Sequence, residues 1–258
     1  MDTLSVAMIR GALGAAPREQ LPALIALHET DRRPGVLSAV SVARRRLARD
    51  LAECERLKAL AEAERRMVDA GVTLVAGVDE VGRGALAGPV SAGACIFTRD
   101  VMIPGLDDSK RLTPIVRQRL STEILAVAVS CAVGHASPAE IDTIGIGPAT
   151  VLAMRRALDG LSVAPEHVLV DGRAVDVGRP STAIVRGDAT VRAIAAAAIL
   201  AKVARDALMV ELDVVHAGYG LAGNKGYGSA DHLAAIAELG PSPIHRRSFA
   251  PCSQIALF

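Results

Sequence analysis

Three short apolar runs lead into carboxylates, and this pattern constrains the fold more than any other feature. Thr73–Val78 is followed by Asp79 and Glu80, Val168–Val170 by Asp171, and Ala183–Val185, after Arg186-Gly187, by Asp188. Runs of this length with many β-branched residues read as buried strands. Carboxylates at the ends of separate strands converge if those strands are neighbours in one sheet. Two further strands are expected at Pro89–Thr98 and Ala128–Gly134, with helices near 113–126, 148–160, 190–214 and 229–239. Alternation of this kind predicts an α/β fold, a mixed sheet flanked by helices.

Residues 1–70 have a different character, helical in pattern and rich in Arg and Glu. Asp31-Arg32-Arg33-Pro34-Gly35 divides them into a short helical pair and one long helix over about 36–69. On that helix Val40, Leu47, Leu51, Cys54, Leu57 and Ala61 recur at three- and four-residue steps. The chain is thus expected to divide into a helical N-terminal extension (1–70), an α/β domain (71–252) and a C-terminal tail (253–258).

Composition narrows the function. Over 258 residues, 29 Lys and Arg stand against 28 Asp and Glu, a formal net charge of +1, so any grip on phosphate must come from a local patch. A hydrophobic fraction of 51% excludes a disordered chain. Two Tyr, three Phe and no Trp argue against base-stacking platforms. Cys54, Cys95, Cys131 and Cys252 form no C-x-x-C pair and the histidines show no metal-binding spacing, so neither a zinc site nor a disulfide frame is expected. No signal-peptide pattern opens the chain, and the most apolar stretch, 193–201, is far short of the ~20 residues that span a bilayer. A cytoplasmic protein is expected.

The acids point to metal chemistry. Several carboxylates brought together cannot all stay ionised without a compensating charge, and a hard divalent cation such as Mg²⁺ or Mn²⁺ suits an all-oxygen site. The turn after the first pair, Gly82-Arg83-Gly84-Ala85-Leu86-Ala87-Gly88-Pro89, formally satisfies a dinucleotide-binding fingerprint. That fingerprint must open a helix, whereas Pro89 and the β-prone residues after it begin another strand, so the turn joins a hairpin. Its glycines still let backbone groups approach a ligand closely, with Arg83 available for phosphate.

Gly77-Val78-Asp79-Glu80-Val81-Gly82-Arg83-Gly84, followed by Ala87-Gly88-Pro89-Val90, resembles the opening signature of the ribonuclease HII family. Later segments agree in order: Asp107-Asp108-Ser109-Lys110-Arg111-Leu112, Val170-Asp171-Gly172, Gly187-Asp188, Ile199 to Asp206, Asn224-Lys225-Gly226-Tyr227-Gly228 and His245-Arg246-Arg247-Ser248-Phe249. The resemblance covers about residues 74–252. It implies an RNase H-like fold and an endonuclease acting on RNA paired with, or embedded in, DNA. Asp79, Glu80, Asp171 and Asp188 match the family's four active-site acids, which hold two Mg²⁺ or Mn²⁺ ions. Gly82, Arg83 and Gly84 match the loop that reads the ribose 2′-OH. Tyr227 matches the tyrosine that packs on the following deoxyribose, and Lys110 lies in a motif associated with strand contacts. Arg83 between the glycines and Asp as the fourth acid separate the chain from the related type HIII enzymes.

The chain departs from the family pattern after Asp188, where Ala189, Arg192 and a run of alanines replace hydroxyls and an acid; Asp188 is then expected to lack support from that segment. The last residues, with Gln254, Leu257 and Phe258, resemble the peptide by which bacterial proteins dock on the replication sliding clamp. RNA–DNA hybrid, ribonucleotide-containing duplex DNA and the clamp are the expected partners, and a monomer is the expected state.

Overall fold

The computed structural model describes residues 4–255. The chain forms two units, one up to Lys58 and one from Ala59 onward. The first holds α1 (Val6–Ala15), α2 (Leu21–Leu27) and nearly all of α3 (Pro34–Leu60). Its core is Ile9, Leu13, Leu21, Ile25, Val36 and Val40. Ser5 caps α1 by accepting from the Met8 N–H, and the Asp31 side chain accepts the Arg33 N–H just before Pro34 opens α3. Leu51, expected on the buried stripe, is half exposed.

The long helix expected over 36–69 is two helices. It breaks at Ala61, where ψ is −3°, and α4 (Glu62–Asp69) follows. Periodicity favours continuity, but Glu64 of α4 is buried in an ion pair with Arg192, and that contact overrides the local pattern.

The second unit continues with β1 (Val75–Val81), β2 (Val90–Ile96), α5 (Pro114–Val127), β3 (Ser130–Ala136), α6 (Pro138–Ile144) and α7 (Ile146–Asp159). Then come β4 (His167–Asp171), β5 (Ser181–Ile184), α8 (Gly187–Thr190), α9 (Arg192–Val215), α10 (Leu221–Asn224), α11 (Ala230–Leu239) and α12 (Cys252–Ile255). The strands form one mixed sheet in the order β3-β2-β1-β4-β5. β1 runs antiparallel to β2 and parallel to β4, so the glycine-rich turn does join a hairpin. The helix α6, which the sequence pattern did not show, begins with a capping box between Ser137 and Glu140.

The two faces of the sheet are packed differently. Val90, Ala92, Ala94 and Ile96 of β2 meet Ala149, Ala153, Met154 and Ala157 of α7. On the other face α9 lies almost on the backbone. A Cβ at Gly77 would sit 2.2 Å from the Ala193 carbonyl carbon, and one at Gly93 2.1 Å from the Ala197 carbonyl oxygen. Strand glycines and helix alanines are therefore matched, which accounts for the run of alanines after Asp188. Among the described residues no helix is long and apolar enough to cross a membrane.

Candidate active site

Parallel pairing builds the centre of the site. The β1–β4 register pairs Val78 with Val170, so the next residues along, Asp79 and Asp171, stand side by side at the same edge of the sheet. β1 runs past the acids to Val81, further than expected, because its ladder with β2 continues through Glu80 opposite Ala92 and Val81 opposite Ser91. Asp188 arrives by another route. β5 stops at Ile184, Val185 is exposed, and the backbone turns through Arg186 in the left-handed region (φ 57°) into α8. Asp188 thus sits in the first turn of a short helix instead of at a strand end, and α9 begins at Arg192 after an extended Val191, not at residue 190.

Asp79, Asp171 and Asp188 each offer an oxygen, and these oxygens lie within 4.8 Å of one another. Asp79 and Asp188 are buried and Asp171 partly so. Burial pushes the Asp79 carboxyl well above the usual carboxylate range, and the charges of Glu80 and Asp171 push it further. Asp171 is raised by burial and then by the charge of Asp188. Asp171 Oδ1 accepts the Gly187 N–H at 2.6 Å, which ties the start of α8 to the end of β4. Asp188 is supported from an unexpected quarter: Lys110 Nζ donates to its Oδ2 at 2.7 Å. One ammonium does not neutralise three crowded carboxylates, and an all-oxygen donor set under this strain fits a hard divalent cation.

Glu80 lies outside the trio. Its carboxylate accepts from Arg83 Nη1 at 3.1 Å and faces both clefts that flank the carboxylates. One cleft, of about 630 Å³, is lined by Glu80, Arg83, Thr150, Asp171 and Arg173. The other, of about 270 Å³, is lined by Asp79, Ser109, Lys110, Arg117, Lys202 and Tyr227. Tyr227 is partly exposed, and its ring lies 5.9 Å from Lys202 Nζ and 5.5 Å from the Arg205 guanidinium. Gly82 has φ 86°, and a Cβ there would strike the Arg205 side chain at 2.2 Å, whereas Gly84 faces open space.

Arg173 and Lys202, which join the clefts, were not singled out by sequence reasoning. Arg117 was missed as well; it holds the Asp107–Leu112 segment by donating to the Ser109 and Leu112 carbonyls. The signal for Arg205 was present as a cation within the apolar pattern of an alanine-rich helix. Gln254 is exposed on α12, while Leu257 and Phe258 lie outside the described residues.

The family model for Ribonuclease HII matches residues 76–252. A Ribonuclease HII of Anaeromyxobacter sp. (strain Fw109-5) is 47% identical over 249 residues, covering 96% of this chain and 79% of that protein. A Ribonuclease HII of Moorella thermoacetica is 50% identical over 198 residues, covering 76% of this chain and 96% of that protein. Among solved structures, ribonuclease H2 from Pyrococcus horikoshii OT3 superposes with a TM-score of 0.59 at 28% identity, covering 70% of this chain and 96% of that one. The matched segment contains all three clustered aspartates, the glycine turn and both clefts, on an RNase H-like sheet. The chain accordingly belongs to the ribonuclease HII family and is an RNase H enzyme.

Proposed function

We propose that the chain is an endonuclease that cuts the RNA strand of RNA–DNA hybrids and the 5′ side of ribonucleotides embedded in duplex DNA, leaving a 3′-OH and a 5′-phosphate. The observation that carries this reading is the trio of aspartate oxygens within 4.8 Å, at the meeting point of two open clefts. Asp79, Asp171 and Asp188, with Glu80 beside them, are the residues that would hold metal. Two Mg²⁺ or Mn²⁺ ions held there would acidify a water for attack and neutralise charge on the leaving 3′-oxygen.

The remaining work falls to the chain's own groups. The crowding of Asp79 and Asp171 leaves the site short of positive charge, which a bound cation would supply before a phosphate is accepted. Lys110, whose side chain is 74% exposed, is free to leave Asp188 for a strand phosphate. Gly82, Arg83 and Gly84 present backbone to the ribose 2′-OH, the group that distinguishes RNA from DNA. Tyr227, across the second cleft, packs against the sugar that follows. The C-terminal Gln254, Leu257 and Phe258 dock on the replication sliding clamp, and clamp pull-down that survives deletion of residues 254–258 would remove that part of the reading.

The test is cleavage of a labelled DNA duplex carrying one ribonucleotide, with Mg²⁺ or Mn²⁺, beside an all-DNA duplex and an Asp171→Asn variant. A single cut 5′ to the ribonucleotide, absent in both controls, is expected. Cutting of the all-DNA duplex, or near-normal turnover by the variant, contradicts the assignment.

A further inference from the structure

Arg205 and Arg246 are fully buried, and neither forms an ion pair among the described residues. All their hydrogen bonds run to backbone carbonyls. Arg246 donates through Nε to Gly88 O at 3.0 Å, through Nη1 to Arg83 O at 2.8 Å and through Nη2 to Gly82 O at 2.7 Å. Arg205 donates through Nε to Pro89 O at 2.9 Å, through Nη2 to Ala87 O at 3.2 Å and through Nη1 to Lys225 O at 2.9 Å. Five carbonyls of the Gly82–Pro89 turn thus point inward at two guanidinium forks.

A carbonyl and the N–H of the same peptide unit point in opposite directions. With the Gly82 and Arg83 carbonyls turned inward, the N–H groups of Arg83 and Gly84 face outward, as a loop that receives an oxygen-rich ligand requires. Arg205 reaches the other recognition element too. Its guanidinium lies 5.5 Å from the centre of the Tyr227 ring. The Gly226 carbonyl, one residue earlier, accepts from the Leu86 N–H at 2.7 Å and the Ala87 N–H at 3.2 Å.

Burying two like charges side by side is unfavourable. Burial pushes the Arg246 guanidinium down to about 10, and the charge of Arg205 adds to the effect. An apolar residue would fill this space at lower cost but could hold no carbonyl, and a lysine lacks the planar fork that binds several at once.

We propose that Arg205 and Arg246 are positioning residues that lock the Gly82–Gly84 loop and Tyr227 at a fixed separation, and that this separation selects an RNA–DNA junction over a uniform hybrid. The inference rests on the reading of the loop and Tyr227 given above. It assigns the fixed spacing to two residues that touch neither sugar.

Arg205→Lys and Arg246→Lys keep the charge and lose the fork. For each, kcat/KM is measured on a duplex with one ribonucleotide and on a uniform RNA–DNA hybrid, with a melting curve to verify folding. The junction-to-hybrid ratio is expected to fall by about tenfold relative to wild type, the loss lying mainly with the junction substrate. Folded variants that keep the wild-type ratio overturn the proposal. A wild-type enzyme without junction preference instead overturns the underlying reading of the loop and Tyr227. Should both variants fail to fold, hydrogen exchange in the wild type decides. A locked turn protects the Ala85 and Leu86 amides to the level of β1, and exchange at exposed-loop rates overturns it.

Discussion

Glu64 and Arg192 form an ion pair sealed from solvent, with neither side chain more than 5% exposed. Glu64 Oε2 accepts from Arg192 Nε at 3.1 Å, and its other oxygen accepts the Ala193 N–H at 2.8 Å. One carboxylate on α4 therefore caps α9 and neutralises its first residue. Removing one partner of a buried pair leaves the other charge uncompensated, at a cost of about 3–5 kcal/mol. Glu64→Ala is expected to lose that much in urea unfolding, whereas Glu55→Ala, which breaks the exposed pair with Lys58, should lose under about 1 kcal/mol. Equal losses would refute the special standing of Glu64.

A second buried polar pair predicts how stability depends on acid. His232 Nε2 and His245 Nε2 lie 3.1 Å apart, and His245 Nδ1 is 2.9 Å from the Ser242 hydroxyl. Burial pushes His245 from 6.5 down to about 4, and His232 shifts in the same direction. With the folded value below the unfolded one, the unfolded chain takes up the proton first as pH falls. Stability is complete above about pH 6.5 and drains away toward pH 4, by up to about 3 kcal/mol for His245. Carboxylates held low, such as Glu140 at about 2 beside Arg156, begin to lose their contribution as pH falls through the ordinary value of 4.5, at the acid end of that window, and do so alike in wild type and in a histidine variant. Between pH 7 and pH 4.5 the melting temperature of His245→Gln should therefore fall less than that of wild type. Parallel curves would contradict the assignment.

How far the sequence reveals this site depends on the range of each interaction. Asp79 and Asp171 were legible because an apolar run ending in an acid is a local pattern, and parallel pairing of β1 with β4 aligns the two ends. The extra length of β1 was not legible. Asp and Glu are poor strand formers, and only the β2 ladder holds Glu80 and Val81 in extended form. Asp188 was found as a residue but misplaced, since a left-handed Arg186 is a conformation that propensity does not anticipate. The break at Ala61 and the Lys110–Asp188 contact rest on partners far apart in the chain, so no window of neighbours contains them. The purpose of Arg205 and Arg246 was not legible, because the carbonyls of the Gly82–Pro89 turn that they hold lie more than a hundred residues away.

Lys110 competes with metal for Asp188. Its ammonium sits 2.7 Å from Oδ2, and its side chain is 74% exposed, so the pair is worth at most about 1 kcal/mol. Lys110→Met should therefore lower the half-saturating Mg²⁺ concentration by no more than about fivefold, read by isothermal titration without substrate. The same change removes a cation from the second cleft, so KM for nucleic acid should rise. If metal affinity instead weakens in the variant, the competition is refuted.

Asp79 combines the deepest burial in the cluster with two carboxylate neighbours, so its ionised form strains the metal-free fold. The sign follows from its raised folded value. Below the ordinary carboxylate value of 3.8 the group is neutral in both folded and unfolded states and costs nothing. As pH rises above 3.8 the unfolded chain ionises first, and a destabilisation accumulates that is complete once the folded group has also ionised. Asp79→Asn removes this charge while keeping the shape of the side chain. In EDTA at neutral pH the variant should melt higher than wild type, and Mg²⁺ or Mn²⁺ should raise its melting temperature less. Its cleavage of a ribonucleotide-containing duplex should fall at least about a thousandfold, since a ligand and a charge are lost together. A variant that is less stable than wild type in EDTA would mean that Asp79 is held by favourable contacts and not strained by its neighbours, which would undo the electrostatic case for a cation at this site.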